Sequence, residues 1–126
     1  MNPQELQTKL TEANNLMSQE KYKEALDLLN RLKEIEKSAD FDYNLTHKLY
    51  QLISNSKSLL NQQIILKVIQ DIRQTKSSIS FTNLNEKLVS DENLEIEESI
   101  LKREIEILIL RSLLWCKIDG ENLIFT

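Results

Sequence analysis

The side chains that most often carry out nucleophilic or metal chemistry occur once each in this chain. His47 is the sole imidazole among 126 residues and Cys116 the sole thiol. A thiol nucleophile needs a base and an orienting group, and a zinc site needs several Cys or His ligands at close spacing. The single glycine also excludes a glycine-rich loop for a nucleotide. We expect no catalytic centre, metal or cofactor, and interpret His47 as a solvated helix residue and Cys116 as a small buried strand residue.

A cluster of carboxylates precedes the last predicted helix. No basic residue interrupts its members, which are Asp91, Glu92, Glu95, Glu97 and Glu98. Carboxylates at a helix start complement the positive end of the helix dipole, so capping and solubility are the first interpretation. The second interpretation is an acidic docking patch for a basic partner.

Charge and composition narrow the class of protein. The net charge is -4 with a pI near 5.1, which disfavours a phosphate backbone as the main partner. One cysteine and no charged-then-apolar leader indicate a cytoplasmic and/or nuclear protein. Apolar runs are much shorter than the roughly 18 residues of a membrane span, so no membrane is expected. One Gly, one Pro and abundant Leu and Ile favour a mainly helical fold.

Helical periodicity predicts three helices in the first half of the chain. The first covers residues 3–19, with Asn2 as its cap and Pro at the first helical position. The second carries an apolar stripe over residues 22–35, and the short break between the two predicts a helical hairpin. Residues 38–42 break the pattern and offer Asp caps to a third helix that ends near residue 60.

Shorter elements are predicted from residue 62 onward. Residues 105, 107 and 109 are isoleucines that alternate as in a strand, but the length of their segment favours a helix. Asp119-Gly120 between two apolar runs is a strong hairpin signal. The predicted elements are a helix over 62–75, a strand over 78–80, a brief helix over 83–89 capped by Thr82, a turn over 90–93, a helix over 94–111, and strands over 113–118 and 121–126.

This order of helix, short strand, two helices and hairpin is that of a winged helix, with the hairpin as its wing. Residues 78–80 would be the third strand of the small sheet. The predicted fold class is therefore mainly α: a helical-repeat bundle over residues 1–61, followed by a C-terminal winged helix with a small antiparallel sheet over 62–126. We expect the two parts to form one continuous unit.

Four short segments of the second half carry a family resemblance: ISFTNL at 79–84, EIE at 104–106, KID at 117–119 and LIF at 123–125. They resemble the winged-helix half of a PCI domain, the module shared by subunits of the proteasome lid, the COP9 signalosome and eukaryotic translation initiation factor three. Tyr22 and Ala25 stand where tetratricopeptide-like repeats, which precede that winged helix, place Tyr and Ala. The resemblance implies a non-catalytic scaffold subunit whose partners are other winged-helix chains.

Two features indicate where such a partner would bind. The apolar residues near the end of the last helix cover more of its circumference than one core contact needs, so either the helical bundle or another subunit covers the second face. The last strand is expected to be a sheet edge, whose free backbone groups a partner strand can bind. The predicted partner-binding residues are Leu123, Ile124, Phe125, Trp115, Ile107 and Leu110.

The predicted function is thus assembly of a multi-subunit complex by binding other protein subunits, without catalysis. The alternative from another class is a nucleic-acid-binding winged-helix regulator. A winged helix reads DNA with its third helix, which here is the predicted helix 94–111. Its acidic residues outnumber its basic residues Lys102, Arg103 and Arg111, which disfavours phosphate binding.

Overall fold

Residues 1–37 and 42–126 are described by the computed structural model, and they form five helices and three short strands. The predicted fold class is confirmed, since helices predominate and a small antiparallel sheet lies near the C-terminus. No helix of the described residues is both long and apolar enough to cross a bilayer. The elements are α1 (Pro3–Ser18), α2 (Tyr22–Lys37), α3 (Tyr43–Ile72), β1 (Ser78–Ser80), α4 (Phe81–Glu92), α5 (Glu98–Leu110), β2 (Cys116–Asp119) and β3 (Asn122–Phe125).

Helices α1 and α2 form as their caps and apolar stripes predict. The Asn2 side chain accepts a hydrogen bond from the Glu5 backbone N–H at 2.8 Å, and Pro3 occupies the first turn, where its missing N–H costs nothing. Of the predicted break at 38–42, only Asp42 lies within the described residues. Its carboxylate accepts bonds from the backbone N–H groups of Asn44 and Leu45, at the start of α3.

Helix α3 corrects the predicted boundary near residue 60. The predicted third and fourth helices are one continuous helix of 30 residues. No Gly or Pro interrupts its sequence, and the polar residues 61–63 are compatible with a helix. The chain nevertheless divides into two units, Met1–Leu60 and Asn61–Thr126, which we call the N-terminal and C-terminal units.

Each unit has its own cluster of buried apolar side chains. In the N-terminal unit, Leu6 and Leu10 of α1, Leu29 of α2 and Leu49 of α3 are fully buried. The cluster of the C-terminal unit joins the second part of α3 to α4, α5 and the sheet. Its fully buried members include Ile65, Phe81, Leu84, Leu88, Leu101, Ile105, Leu108 and Leu123.

The sheet has the order β1-β3-β2, and both pairs are antiparallel. Strand β1 pairs with β3 so that Ile79 lies opposite Leu123, which confirms residues 78–80 as the third strand. The expectation that the last strand is a sheet edge is wrong, because β3 lies in the middle with a partner on each side. The apolar sequence of β3 fits this position, since the central strand buries Leu123 completely.

The hairpin turn and the end of α5 correct the predicted strand boundaries. Gly120 is the first of two central turn residues and has a φ of 59°, a conformation that favours glycine. Strand β2 begins only at Cys116, because the preceding residues terminate α5. Ser112 adopts a φ of 59° and the Leu113 N–H donates to the Leu108 carbonyl, a hydrogen bond typical of a helix C-cap.

Helices α4 and α5 also differ from their predicted bounds. The predicted turn at 90–93 is helical as far as Glu92, and Asn93 then ends α4 in the left-handed conformation with a φ of 53°. Because residues 94–97 are not helical, α5 begins at Glu98. The cap of α4 is Ser80, whose hydroxyl accepts a hydrogen bond from the Asn83 N–H at 3.1 Å, and not Thr82 as predicted.

This cap gives a first testable prediction. Ser80→Ala removes the acceptor for the Asn83 N–H and is expected to lower the free energy of unfolding by about 1 kcal/mol. Thr82→Ala is the control, because Thr82 is an exposed residue in the first turn of α4. Urea unfolding followed by circular dichroism measures both; an equal loss in the two variants would contradict the assignment of the cap.

Candidate functional site

The surroundings of His47 and Cys116, the imidazole and the thiol considered above, are those of structural residues. His47 is exposed on α3 in the N-terminal unit, as predicted, and its ring stacks on Tyr43 with centroids 6.1 Å apart. Cys116 begins β2 in the C-terminal unit and is half-buried, where full burial was predicted. Burial raises the pKa of its thiol, and nearby Arg73 lowers it by less, so the reactive thiolate is disfavoured. Within the described ranges, no three His, Cys, Asp or Glu side chains are placed to hold a metal ion.

The acidic cluster is divided between two elements. Asp91 and Glu92 lie in the last turn of α4 and not at a helix start, so they do not complement a helix dipole. Each has a basic partner: Asp91 pairs with Lys87 at 3.1 Å and Glu92 with Lys67 at 2.9 Å. The hydrogen bond and charge of Glu92 raise the pKa of Lys67. These two carboxylates are therefore locally neutralised.

The remaining carboxylates of the cluster follow α4. Glu95 and Glu97 are exposed between α4 and α5, and Glu98 is half-buried in the first turn of α5. Glu98 and Glu86 both face a shallow groove of about 370 Å³. The complete lining is Thr82, Asn85, Glu86, Val89, Ser90 and Glu98. The predicted acidic docking patch is thus reduced to Glu95, Glu97 and Glu98, to which the groove adds Glu86, and it stays a prediction.

A buried polar network that the sequence pattern does not indicate joins α3 to α5. Glu104 is only 1% exposed, although it counts among the acidic residues of the predicted helix 94–111 that were weighed against phosphate binding. Its Oε2 accepts a hydrogen bond of 2.8 Å from Gln62 Nε2, and Arg103 approaches its Oε1 at 3.5 Å. The Gln62 Oε1 in turn accepts a bond of 2.7 Å from Arg111 Nη1. No local motif reports such a contact, because its partners are more than 40 residues apart in the sequence.

The three predicted contact residues of the last strand do not form an edge. Leu123 is fully buried, and Phe125 is half-buried against the core. Arg73 lies over the Phe125 ring at 5.7 Å and donates to the Thr126 carbonyl. Ile124 is half-buried and lies opposite Lys117 and Ser78 in the neighbouring strands. A partner strand therefore has no access to the backbone of β3, and these residues are withdrawn as an edge-strand binding site.

Exposed apolar side chains concentrate instead at the end of α5 and in the residues that lead into β2, residues 110–115, which we call the 110–115 segment. Leu110 is 84% exposed, Trp115 67% and Leu113 48%. Leu110 and Trp115 were predicted as partner-binding residues, whereas the predicted Ile107 is half-buried. Leu113 was missed because its sequence pattern indicated a strand, and only the cap of α5 makes it a surface residue. Leu114, which is 3% exposed, anchors the segment to the core.

Strand β2 follows the 110–115 segment directly and is one edge of the sheet. Lys117 and Asp119 are exposed on this strand.

Comparisons of the chain with models of protein families, with curated proteins and with solved structures give no match. The candidate site is therefore interpreted from its own geometry.

Proposed function

We propose that this chain is a non-catalytic assembly subunit that binds other protein chains through the 110–115 segment and the adjoining edge of β2. The observation that carries the proposal is the exposure of Leu110, Leu113 and Trp115 within six residues. Single exposed apolar residues are ordinary on protein surfaces, but a group of them, especially with a Trp, is typical of an interface. The resemblance to PCI domains adds the finer prediction that the partners are winged-helix subunits of a larger intracellular complex.

The backbone of the 110–115 segment is held in place at several points, which favours binding. The Leu113 N–H donates to the Leu108 carbonyl, and the Trp115 carbonyl accepts from the Thr126 N–H at 3.4 Å. Leu114 is buried between the exposed Leu113 and Trp115. A surface that is ordered before binding loses less conformational entropy when the partner arrives. The exposed apolar side chains are therefore presented on a backbone that needs little rearrangement.

The alternative function, nucleic-acid binding by α5, is disfavoured because the basic side chains of this helix already have partners within the chain. With Glu104 buried and residues 94–97 outside the helix, the surface of α5 is less acidic than predicted. Its basic side chains are nevertheless engaged within the chain. Lys102 pairs with Glu121 at 3.3 Å, Arg103 with Glu104, and Arg111 with Gln62. Phosphate binding by α5 would have to displace these partners.

The proposal is tested by affinity capture of the tagged chain from its native cell extract at moderate salt, with quantification of each co-purifying protein. We expect the native chain to recover a stoichiometric set of protein subunits. Leu110→Ser combined with Trp115→Ser is expected to reduce their recovery at least about tenfold, since interface Trp residues often contribute 2 kcal/mol or more. Both side chains are exposed, so the fold is expected to persist.

Tyr43→Ser is the matched control, because Tyr43 is an aromatic residue of the N-terminal unit that is 80% exposed. We expect this control to recover the same subunits as the native chain. Equal recovery by all three proteins would contradict the proposed surface. Recovery of nucleic acid without a stable set of proteins, reversed by raising the salt concentration, would favour the regulator instead.

A further inference from the structure

The outer edge of β2 has backbone groups that point away from the sheet. In the β2–β3 pair, the Thr126 N–H donates to the Trp115 carbonyl, and Lys117 lies opposite Ile124. Because hydrogen-bonded and non-hydrogen-bonded pairs alternate in an antiparallel ladder, residues 115, 117 and 119 direct their backbone groups toward β3. Cys116 and Ile118 direct theirs outward. Within residues 1–37 and 42–126, no backbone hydrogen bond satisfies these outward groups.

The side chains of β2 alternate between the core and the surface. Cys116 and Ile118 are half-buried and contact the hydrophobic core of the C-terminal unit. Lys117 and Asp119 are exposed on the opposite face. The free edge of the sheet therefore carries one positive and one negative side chain, two positions apart on the same face.

These two charges select a partner and a register. If β2 of one copy lies antiparallel to β2 of a second copy, with Ile118 opposite Ile118, the outward N–H and C=O groups of Ile118 bond across the two-fold axis. Lys117 of each copy then lies opposite Asp119 of the other, in a non-hydrogen-bonded pair where side chains are closest. Shifting the register by two residues in either direction instead places two Lys117 or two Asp119 side chains opposite each other, which is unfavourable.

We propose that two copies of this chain associate through β2, forming a two-fold antiparallel strand pair in which Lys117 of each copy contacts Asp119 of the other. The inference rests on the proposed function and names its partner as a second copy. The association joins two three-stranded sheets into one of six strands. The 110–115 segment, which leads into β2, lies beside this junction and supplies apolar side chains to it.

The test measures the mass of the full-length chain by sedimentation equilibrium over a range of concentrations. We expect the native chain to dimerise. Lys117→Asp and Asp119→Lys each replace two attractive pairs by two repulsive ones and are expected to weaken dimerisation at least about tenfold. The double variant K117D/D119K exchanges the charges and is expected to restore dimerisation to within about threefold of the native chain.

Lys76→Asp is the matched control, because the same charge change then lies on an exposed residue beside β1, the opposite edge of the sheet. We expect it to leave dimerisation unchanged. Amide hydrogen exchange gives a second measurement: the amides of Cys116 and Ile118 are expected to exchange more slowly as concentration rises. In Lys117→Asp this protection is expected to disappear while the amides of β3 stay protected, which shows that the fold persists.

A native chain that stays monomeric up to about 1 mM would overturn the inference. So would a dimer that neither single charge reversal weakens, or a double variant that remains as weak as the single ones. The proposed assembly function and the proposed dimer can be distinguished by their outcomes. If the chain is monomeric but Leu110→Ser with Trp115→Ser still removes a set of captured subunits, the assembly function stands and only the second copy as partner is rejected.

Discussion

Leu123→Asp is expected to unfold the C-terminal unit. Leu123 is fully buried and lies in the central strand, opposite Ile79 on one side and Ile118 on the other. The carboxylate would enter the apolar core without a charged partner, a change that costs more than about 4 kcal/mol. Because a small domain has a total stability of only about 5–15 kcal/mol, this loss is a large part of it. Circular dichroism and amide exchange in β3 measure the result.

Leu110→Asp is the control, because it makes the same chemical change at a side chain that is 84% exposed in the same unit. It is expected to cost less than about 1 kcal/mol, mainly from a negative charge at a helix C-terminus. A stable, native-like Leu123→Asp protein would contradict the central position of β3. If Leu123→Asp unfolds the unit and Leu110→Asp does not, then lost binding in a Leu123 variant is no evidence of a lost contact, since unfolding produces the same result.

Gln62→Leu is expected to destabilise the C-terminal unit by about 3 kcal/mol, because it removes a hydrogen bond to a buried carboxylate and leaves that charge less well solvated. Gln62 is 5% exposed, and its amide joins Glu104 to Arg111. Urea unfolding followed by circular dichroism measures the loss. A cost below about 1 kcal/mol would show that this network contributes little to stability.

The double variant Gln62→Leu with Glu104→Leu provides the control. Replacing both buried partners by apolar side chains of similar volume is often nearly neutral, whereas removing one partner is costly. We therefore expect the double variant to be more stable than Gln62→Leu alone, although it carries one more substitution. The Glu104→Leu variant is measured alone for comparison. If the losses of free energy in Gln62→Leu and Glu104→Leu simply add up to the loss in the double variant, a direct interaction between these side chains is contradicted.

The order of elements was predictable because local signals determine it. Helical periodicity, the Asn2 cap and the Asp119-Gly120 turn each depend on a few neighbouring residues. The continuity of α3 was not predictable, since its apolar stripe changes phase between Ser56 and Ile65 and so looks like a new helix. The backbone hydrogen bonds of a helix do not depend on which face is apolar, so a change in the phase of the apolar stripe does not by itself end the helix.

The position of each strand in the sheet depends on long-range pairing, and this is why the candidate site was only partly predictable. Apolar character selected Leu110 and Trp115, which are exposed in the structure. It did not distinguish them from Leu123, which is equally apolar, because strand order decides which apolar strand is buried and which edge is open. In the same way, the burial of Glu104 depends on Gln62, a residue of another helix.

The central place of β3 also has a consequence for biosynthesis. Strands β1 and β2 flank β3 and pair with it, and the pairing of Ser78 with Ile124 joins residues that the ribosome makes at very different times. Until β3 is translated, β1 has no strand to pair with. Closing so long a stretch of chain is also entropically costly and slow. The pairing of β1 therefore waits for β3, and until then β1 is an unpaired nascent segment that a chaperone or a neighbouring nascent chain could bind.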